Sequence, residues 1–377
     1  MLTILINFST LKSGGGQNVA LNFLYAVRSL PLQDVNCWYL VAKDSEVHRL
    51  LKQHGSHQYV VVPRNALLRI LYEVFWGWRI LKKHRIDIVY SYFGYAWFPK
   101  RWPQISGSAD SNLYFPEIDF WSGYRGVSRL KRWVIDQYRL FCVKRANAVI
   151  FENAAMEKRG RNIHGLKNTC VIKPSIYITE QTCDFKAIQN IEPGLKRGLF
   201  LCGWQLNKNV MLIPLIAAEM KKRNRPLLFV LTAPRDGSSL YKQFCSLLQQ
   251  YGVESLVTLT GPAIKDQLAC LYDRIDYVFL LSQLESFSNN IIEAWYYQKP
   301  LLIADEIWAH SICDEAAFYT KRNDIKDIAD KLCLLMDSED LCSNLVEHGT
   351  IMLKQYPSIG ERIVQEIEYV KQVHQRC

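Results

Sequence analysis

Ser282-Gln283-Leu284-Glu285-Ser286-Phe287-Ser288-Asn289-Asn290-Ile291-Ile292-Glu293-Ala294-Trp295 is the stretch from which the fold can be read. The apolar run Tyr277-Val278-Phe279-Leu280-Leu281 before it reads as a buried strand. A short helix follows and stops before Lys299-Pro300, because the residue ahead of a proline disfavours the helical region. A second apolar run, Leu301-Leu302-Ile303-Ala304, comes next. The pattern is strand, loop, helix, strand, with Glu285 in the loop and Glu293 in the first turns of the helix. Parallel sheets hold ligands at such carboxyl strand ends. A helix N-terminus beside them suits phosphate. A plainer reading stands beside this one: Glu293 closes a capping box with Asn290, and Glu285 is a solvated loop acid.

Outward from this stretch, strand-like and helix-like runs keep alternating. In the second half they are Leu227 to Thr232 (strand), Tyr241 to Tyr251 (helix), Val257 to Gly261 (strand and turn) and Lys265 to Arg274 (helix). After the central stretch come a strand and loop from Ala316 to Asp324, a helix from Ile325 to Met336, and a last helix over 358–375. In the first half, Leu2 to Phe8, Asn36 to Ala42, Tyr59 to Val62 and Ile86 to Tyr90 read as strands. Ser9 to Gln17, with three consecutive glycines, reads as a loop ahead of a helix from about Asn18. This loop is neither Gly-x-Gly-x-x-Gly nor a Walker loop, so neither nicotinamide nor ATP binding is indicated. Residues 176–196 lose periodicity and contain Pro193-Gly194, which marks a linker.

The central stretch resembles the Glu-x7-Glu signature of retaining glycosyltransferases of the GT-B fold, in the family called GT4. Ser282, Glu285, Phe287, Glu293, Ala294 and Pro300 fall in place, while Ser286 and Ser288 stand where that family has glycines. The stretch Gly198 to Val210 resembles the family's strand, Gly-Arg-Leu and Lys-Asn pattern through Gly203 and Lys208-Asn209; Trp204 stands at the arginine. Gly15 and Gly16 resemble the family's Gly-Gly loop. Ala109-Asp110 aligns with a His-Asp or His-Gly pair and lacks the histidine, with Glu117 and Asp119 as neighbouring alternatives.

The resemblance implies an α/β chain of two Rossmann-like, doubly wound parallel-sheet domains facing a central cleft. The first would span 1–175, on the acceptor and membrane side. A linker at 176–196 and a nucleotide-sugar-binding domain at 197–357 follow, and the helix at 358–377 crosses back to the first domain. It further implies transfer of a sugar from a nucleoside-diphosphate donor with retention. Lys208 would meet the diphosphate as a point charge. Glu285 would accept from sugar hydroxyls and Glu293 from ribose hydroxyls. The amides of Ser286, Phe287, Ser288 and Asn289 would present the positive end of the helix dipole, with Gly203, Gly15 and Gly16 lining the donor and Asp110 as a further candidate. No Asp-x-Asp is present, so no metal is expected, and no cofactor beyond the donor sugar.

Composition bounds the rest. The 377 residues suit two domains of ordinary size. No run approaches the ~18 apolar residues of a membrane span, and the start, Met1 to Asn7, lacks a basic region and reads as a first strand rather than a signal peptide. Eleven cysteines with no Cys-x2-Cys pair point to a reducing cytoplasm. Residues 1–175 hold 25 Lys and Arg against 11 Asp and Glu, net +14; residues 176–377 hold 21 against 25, net −4. Two basic, aromatic helices, 64–85 and 125–145, suit the anionic inner face of a plasma membrane. Simple amphipathic helices with solvated charges are the alternative, and no nucleic-acid module is visible. Together these features fit a lipid-linked or glycan acceptor such as a growing surface polysaccharide (O-antigen, capsule or lipopolysaccharide). A nucleotide-sugar 2-epimerase of the same layout and a non-catalytic glycan- or partner-binding relative remain open.

Overall fold

A computed structural model describes residues 1–32, 34–176, 178 and 194–377. The chain divides into two compact units: Met1–Ser175 with Pro357–Cys377, and Ile176–Tyr356. Most of the stretch read as a linker, 176–196, lies outside the described residues.

In the first unit the order is β1 (Leu2–Asn7), α1 (Gly14–Val27), β2 (Val35–Ala42), α2 (Glu46–Gln53), β3 (Tyr59–Val62), α3 (Ala66–Lys83), β4 (Ile88–Ser91), β5 (Gln104–Ser108), α4 (Gly126–Arg145), β6 (Ala148–Phe151), α5 (Ala154–His164) and β7 (Thr169–Val171). Among the described residues these strands form a seven-stranded sheet in the order β3-β2-β1-β4-β5-β6-β7. All its pairings are parallel. Strands covered on both faces read as nearly continuous apolar runs, as in Leu2-Thr3-Ile4-Leu5-Ile6, from Thr3 onward buried throughout.

The second unit repeats the plan: β8 (Arg197–Phe200), α6 (Ile213–Lys222), β9 (Leu228–Leu231), α7 (Ser239–Tyr251), β10 (Val257–Leu259), α8 (Lys265–Asp273), β11 (Tyr277–Leu280), α9 (Asn289–Tyr296), β12 (Leu301–Ala304), α10 (Ile307–Cys313), β13 (Phe318–Thr320), α11 (Ile325–Asp337) and α12 (Glu339–Leu353). Its parallel sheet runs β10-β9-β8-β11-β12-β13. Each unit is thus doubly wound, and in each the strand order reverses beside its first strand. Each parallel sheet with its flanking helices is Rossmann-like, as the resemblance implies.

One local expectation changes. The glycines are not a loop ahead of the helix: Gly14, Gly15 and Gly16 form the first turn of α1. Ser13 is extended and Gly14 takes φ +65°, a turn into the helix that glycine makes at little cost. Helices α2, α10 and α12 complete alternations that the sequence left undescribed.

The last helix, α13 (Ile359–Arg376), packs on α1 and β4. Its seam of Ile363, Ile367, Val370 and Val373 joins a core with Phe8, Phe23 and Tyr92. Inside that seam Arg362 bonds Glu366 and Glu152, both at 2.9 Å. Its guanidinium also lies over the Phe93 ring at 5.4 Å. Burial pushes the Glu152 and Glu366 carboxyls up, and Arg362 opposes this. Removing one partner of such a group strands the others. Arg362→Met therefore costs about 3–5 kcal/mol in urea unfolding; a loss under about 1 kcal/mol would show that the network does not anchor α13.

Candidate functional site

In the second unit β8 and β11 are hydrogen-bonded neighbours, so the loops after them leave the same sheet edge. Several side chains stitch the two loops together. Asn209 Nδ2 donates to the Leu281 carbonyl at 2.8 Å. Asn290 Nδ2 donates to the Leu201 carbonyl at 2.9 Å. The Gln283 amide donates to the Asn207 carbonyl at 2.7 Å. Asn209 takes φ +56°, a conformation asparagine tolerates better than most residues. It turns the chain from the short 3-10 segment at Leu206–Lys208 into the next, at Val210–Leu212.

This stitching brings Lys208 and Glu285 together, 77 positions apart in sequence, with Nζ 2.5 Å from Oε1. Their side chains are about one-fifth and one-eighth exposed. The pair is therefore shielded but reachable. An ammonium carries three donors, so Lys208 can keep Glu285 and still present N–H groups to an incoming anion.

Four residues further on, at Asn289, α9 begins. Its N-cap is Ser288, and no side chain caps it. The first-turn amides and the positive end of the dipole thus face the loop that holds Glu285. Because Ser288 is the cap, Glu293 does not close a box with Asn290; its carboxylate accepts from the Tyr272 hydroxyl at 3.1 Å. Neither Ser286 nor Ser288 has a positive φ, so serine replaces the family's glycines without backbone strain. Asn289 is exposed and Ser286 half-buried. The Phe287 ring packs 5.7 Å from Tyr356, so it braces the loop. The Gly203 amide donates to Gln205 Oε1 at 2.9 Å, which closes a tight turn after β8.

Trp204, where the resemblance has an arginine, turns into the core. Its indole N–H donates to the Pro234 carbonyl at 2.7 Å, and its ring lies 5.3 Å from Phe244. That position supplies packing and no cation.

The remaining candidates are in the first unit. Gly15 and Gly16 lie in the first turn of α1, and Ser13 caps that helix without a side-chain bond. A Cβ on Gly15 would meet nothing within 4 Å, whereas one on Gly16 would press on Leu11 at 3.0 Å. Asp110 follows β5 and pairs with Arg139 of α4 at 2.9 Å, and Arg139 also holds Asp136 at 3.1 Å. Burial pushes the Asp110 carboxyl up, with Arg139 opposing. Here the carboxylate ties β5 to α4. Glu117 pairs with Arg159 at 2.5 Å and Asp119 with Arg129 at 3.0 Å. Among the described residues no group of three or more His, Cys, Asp or Glu could hold a metal ion.

Sequence reasoning gave no role to Gln283 or Tyr272, took Asn209 only as part of the Lys-Asn pattern, and took Asn290 only as a capping partner of Glu293. Only Asn209, directly after the motif lysine, carried a local signal, as a residue type that enters the left-handed region.

Residues 186–352 match the model of the family described as glycosyl transferases group 1. No curated protein matches the chain in sequence. Solved structures similar to it include sucrose-phosphate synthase from Thermosynechococcus elongatus (TM-score 0.73, 13% identity, covering 100% of both chains). Anabaena HepE in complex with UDP and glucose is another (TM-score 0.70, 16% identity, 98% of this chain and 100% of that one). So is WaaG, a glycosyltransferase involved in lipopolysaccharide biosynthesis (TM-score 0.67, 14% identity, 97% and 98%). The family match thus falls within the second unit, and the fold of the whole chain is GT-B.

The stitching can be tested without any ligand. Asn209→Ala loses both the side-chain bond and the tolerance of positive φ, and it lowers unfolding free energy by about 1–3 kcal/mol. Asn209→Gly restores the φ alone and falls between Ala and wild type. If Gly is no better than Ala in thermal unfolding, the left-handed turn is not the constraint.

Proposed function

We propose that this glycosyltransferase moves a sugar, with retained configuration, from a nucleoside-diphosphate donor to a glycan or lipid-linked acceptor at an anionic membrane surface. The observation that carries the reading is the Lys208–Glu285 pair at the reversal point of the second sheet, beside the uncapped start of α9. The leaving group is a diphosphate. Lys208 takes its charge, and the amides at the start of α9 add the helix dipole; such fixed donors stabilise charge as it develops. Glu285, released from part of its hold on Lys208, accepts hydrogen bonds from the donor sugar. Glu293 accepts from the ribose. The acceptor hydroxyl attacks from the face the diphosphate leaves, which keeps the anomeric configuration and needs no protein nucleophile. That HepE was solved with UDP and glucose supports a nucleoside-diphosphate donor. WaaG's part in lipopolysaccharide biosynthesis supports a cell-surface glycan as acceptor.

The membrane reading is supported by the way α3 is turned. It buries Arg69 and Glu73 and exposes Leu67, Leu68, Phe75, Trp76 and Trp78. Helix α4 likewise buries Asp136 and exposes Val127, Leu130 and Trp133. Tyr138 of α4 lies within electrostatic reach of Arg69 and Glu73 of α3. Apolar exposure of this kind marks an interaction surface. Arg79, Lys82, Lys83, Lys131 and Arg132 on the same helices give the charge that anionic lipid attracts. Among the described residues no helix is long and apolar enough to cross a membrane, so contact would lie in the interface.

The test of the donor site is thermal stability against UDP, GDP, dTDP, CMP and ADP. One nucleoside diphosphate at 100 times its dissociation constant adds ~2.7 kcal/mol. Lys208→Ala loses most of that response, and Lys208→Ala and Glu285→Ala each lower turnover ~10²–10³-fold in folded protein. Full activity in folded Glu285→Ala would remove Glu285 from the site.

For the membrane, the protein sediments with phosphatidylglycerol vesicles and binds less as salt rises. Trp76→Ser with Trp133→Ser weakens binding at every salt concentration, and Lys82→Glu with Lys83→Glu removes the salt dependence. Unchanged sedimentation in both double variants would sink the membrane reading.

A further inference from the structure

Glu293 lies on α9, and four residues later, at the end of that helix, comes Tyr297. Residues four apart share a helix face, so both side chains turn toward α8. Both of them meet Tyr272 there. The Tyr272 hydroxyl donates to Glu293 Oε2 at 3.1 Å. The Tyr297 ring stacks on the Tyr272 ring with centroids 4.6 Å apart and planes 18° from parallel. Tyr272 is fully buried. One phenol is gripped by α9 at its ring and at its hydroxyl.

We propose that Tyr272 is the positioning residue for Glu293: its hydroxyl holds the carboxylate in the orientation that accepts the donor's ribose hydroxyls. This rests on the reading of Glu293 given above and deepens it. A free glutamate side chain samples several rotamers, and ordering it on binding costs affinity. Tyr272 meets that cost during folding. Burial and the neighbouring Glu293 carboxylate both push the Tyr272 phenol well above its ordinary range, so the hydroxyl keeps its proton and remains a donor. The ring stack with Tyr297 keeps the hydroxyl at one height along α9. Among the described residues Tyr297's own hydroxyl has no hydrogen-bond partner, so Tyr297 acts through its ring.

The experiment compares dissociation constants of UDP, GDP and ADP with those of their 2′-deoxy and 3′-deoxy forms, by calorimetry, in wild type, Tyr272→Phe, Tyr297→Phe and Glu293→Ala. Hydrogen bonds to a carboxylate that holds the ribose make wild type prefer the ribonucleotide about 10–100-fold. Tyr272→Phe keeps the ring and its stack and loses the oxygen; its preference falls several-fold while its affinity for the deoxy form stays at the wild-type value. Tyr297→Phe keeps the wild-type preference. A general structural defect would weaken ribo and deoxy ligands alike and leave the ratio unchanged. In Glu293→Ala the preference is lost, and adding Tyr272→Phe changes nothing more. That double variant is a second test, since ribonucleotide affinity lower than in Glu293→Ala alone would mean Tyr272 acts without Glu293. If wild type shows no preference for any of the three nucleotides, the ribose reading of Glu293 fails and the proposal falls with it. If wild type discriminates and folded Tyr272→Phe discriminates equally, the ribose reading stands and the positioning role is overturned.

Discussion

In each unit the first strand is hydrogen-bonded on one side to the second strand and on the other to the fourth: β2-β1-β4 in one, β9-β8-β11 in the other. Successive crossovers first travel outward in one direction and then return to the far side of the starting strand. Adjacent strands lie only about 5 Å apart, yet their following loops must depart toward opposite sides of the sheet. The gap between those diverging loops is the one place on the edge where backbone amides and side chains can converge on a ligand. In the second unit this constraint sets the loops after β8 and β11 side by side. Asn209, Gln283 and Asn290 then fix their spacing. The Lys208–Glu285 pair is a consequence of that packing, since neither loop alone contains both charges.

The first unit distributes its charges differently. Its basic excess lies largely on exposed helix faces, while a few ionisable groups are taken inside and paired. Arg362 holds Glu152 and Glu366 within the α13 seam. On α3, Arg69 Nη1 lies 3.5 Å from Glu73 Oε1, and burial pushes the Glu73 carboxyl up to about 6. Arg69 also donates to Ser9 and to the Tyr95 carbonyl, which ties α3 to the loops after β1 and β4. Burying a charge is tolerable only when it is paired and hydrogen-bonded. With Arg69 and Glu73 turned inward, Leu67, Leu68, Phe75, Trp76 and Trp78 face out, and only the end of the helix buries apolar side chains, Ile80 and Leu81. The exposed apolar face of α3 and its buried ion pair are two sides of one choice of helix rotation.

Alternating apolar runs and helical periods announced two parallel-sheet units, because strands covered on both faces need continuous hydrophobic stretches and crossover helices need a 3.6-residue stripe. The bounds of α3, α4, α9 and α11 lie within a residue or two of what periodicity and the proline after α9 indicated. Spacing around Glu285 and Glu293, and the lysine after Gly203, singled out the segments that follow β11 and β8, since the distance from strand end to helix start is a local property of the chain. The glycine run was placed wrongly, in a loop, because glycine's low helix propensity hides a helix whose first turn needs a positive φ.

What sequence by itself determined is the order and type of elements and the loops that carry the candidate charges; all of these follow from interactions among residues close along the chain. What only tertiary structure decided is which of those residues meet. Trp204 turns to Phe244 and the Pro234 carbonyl, Asp110 is taken by Arg139, Glu285 meets Lys208, and Glu293 is held by Tyr272. Helix periodicity says which face of an element is buried but carries no information on the partner across the interface. That partner is chosen by strand order and helix rotation, which the chain settles only when its cores pack.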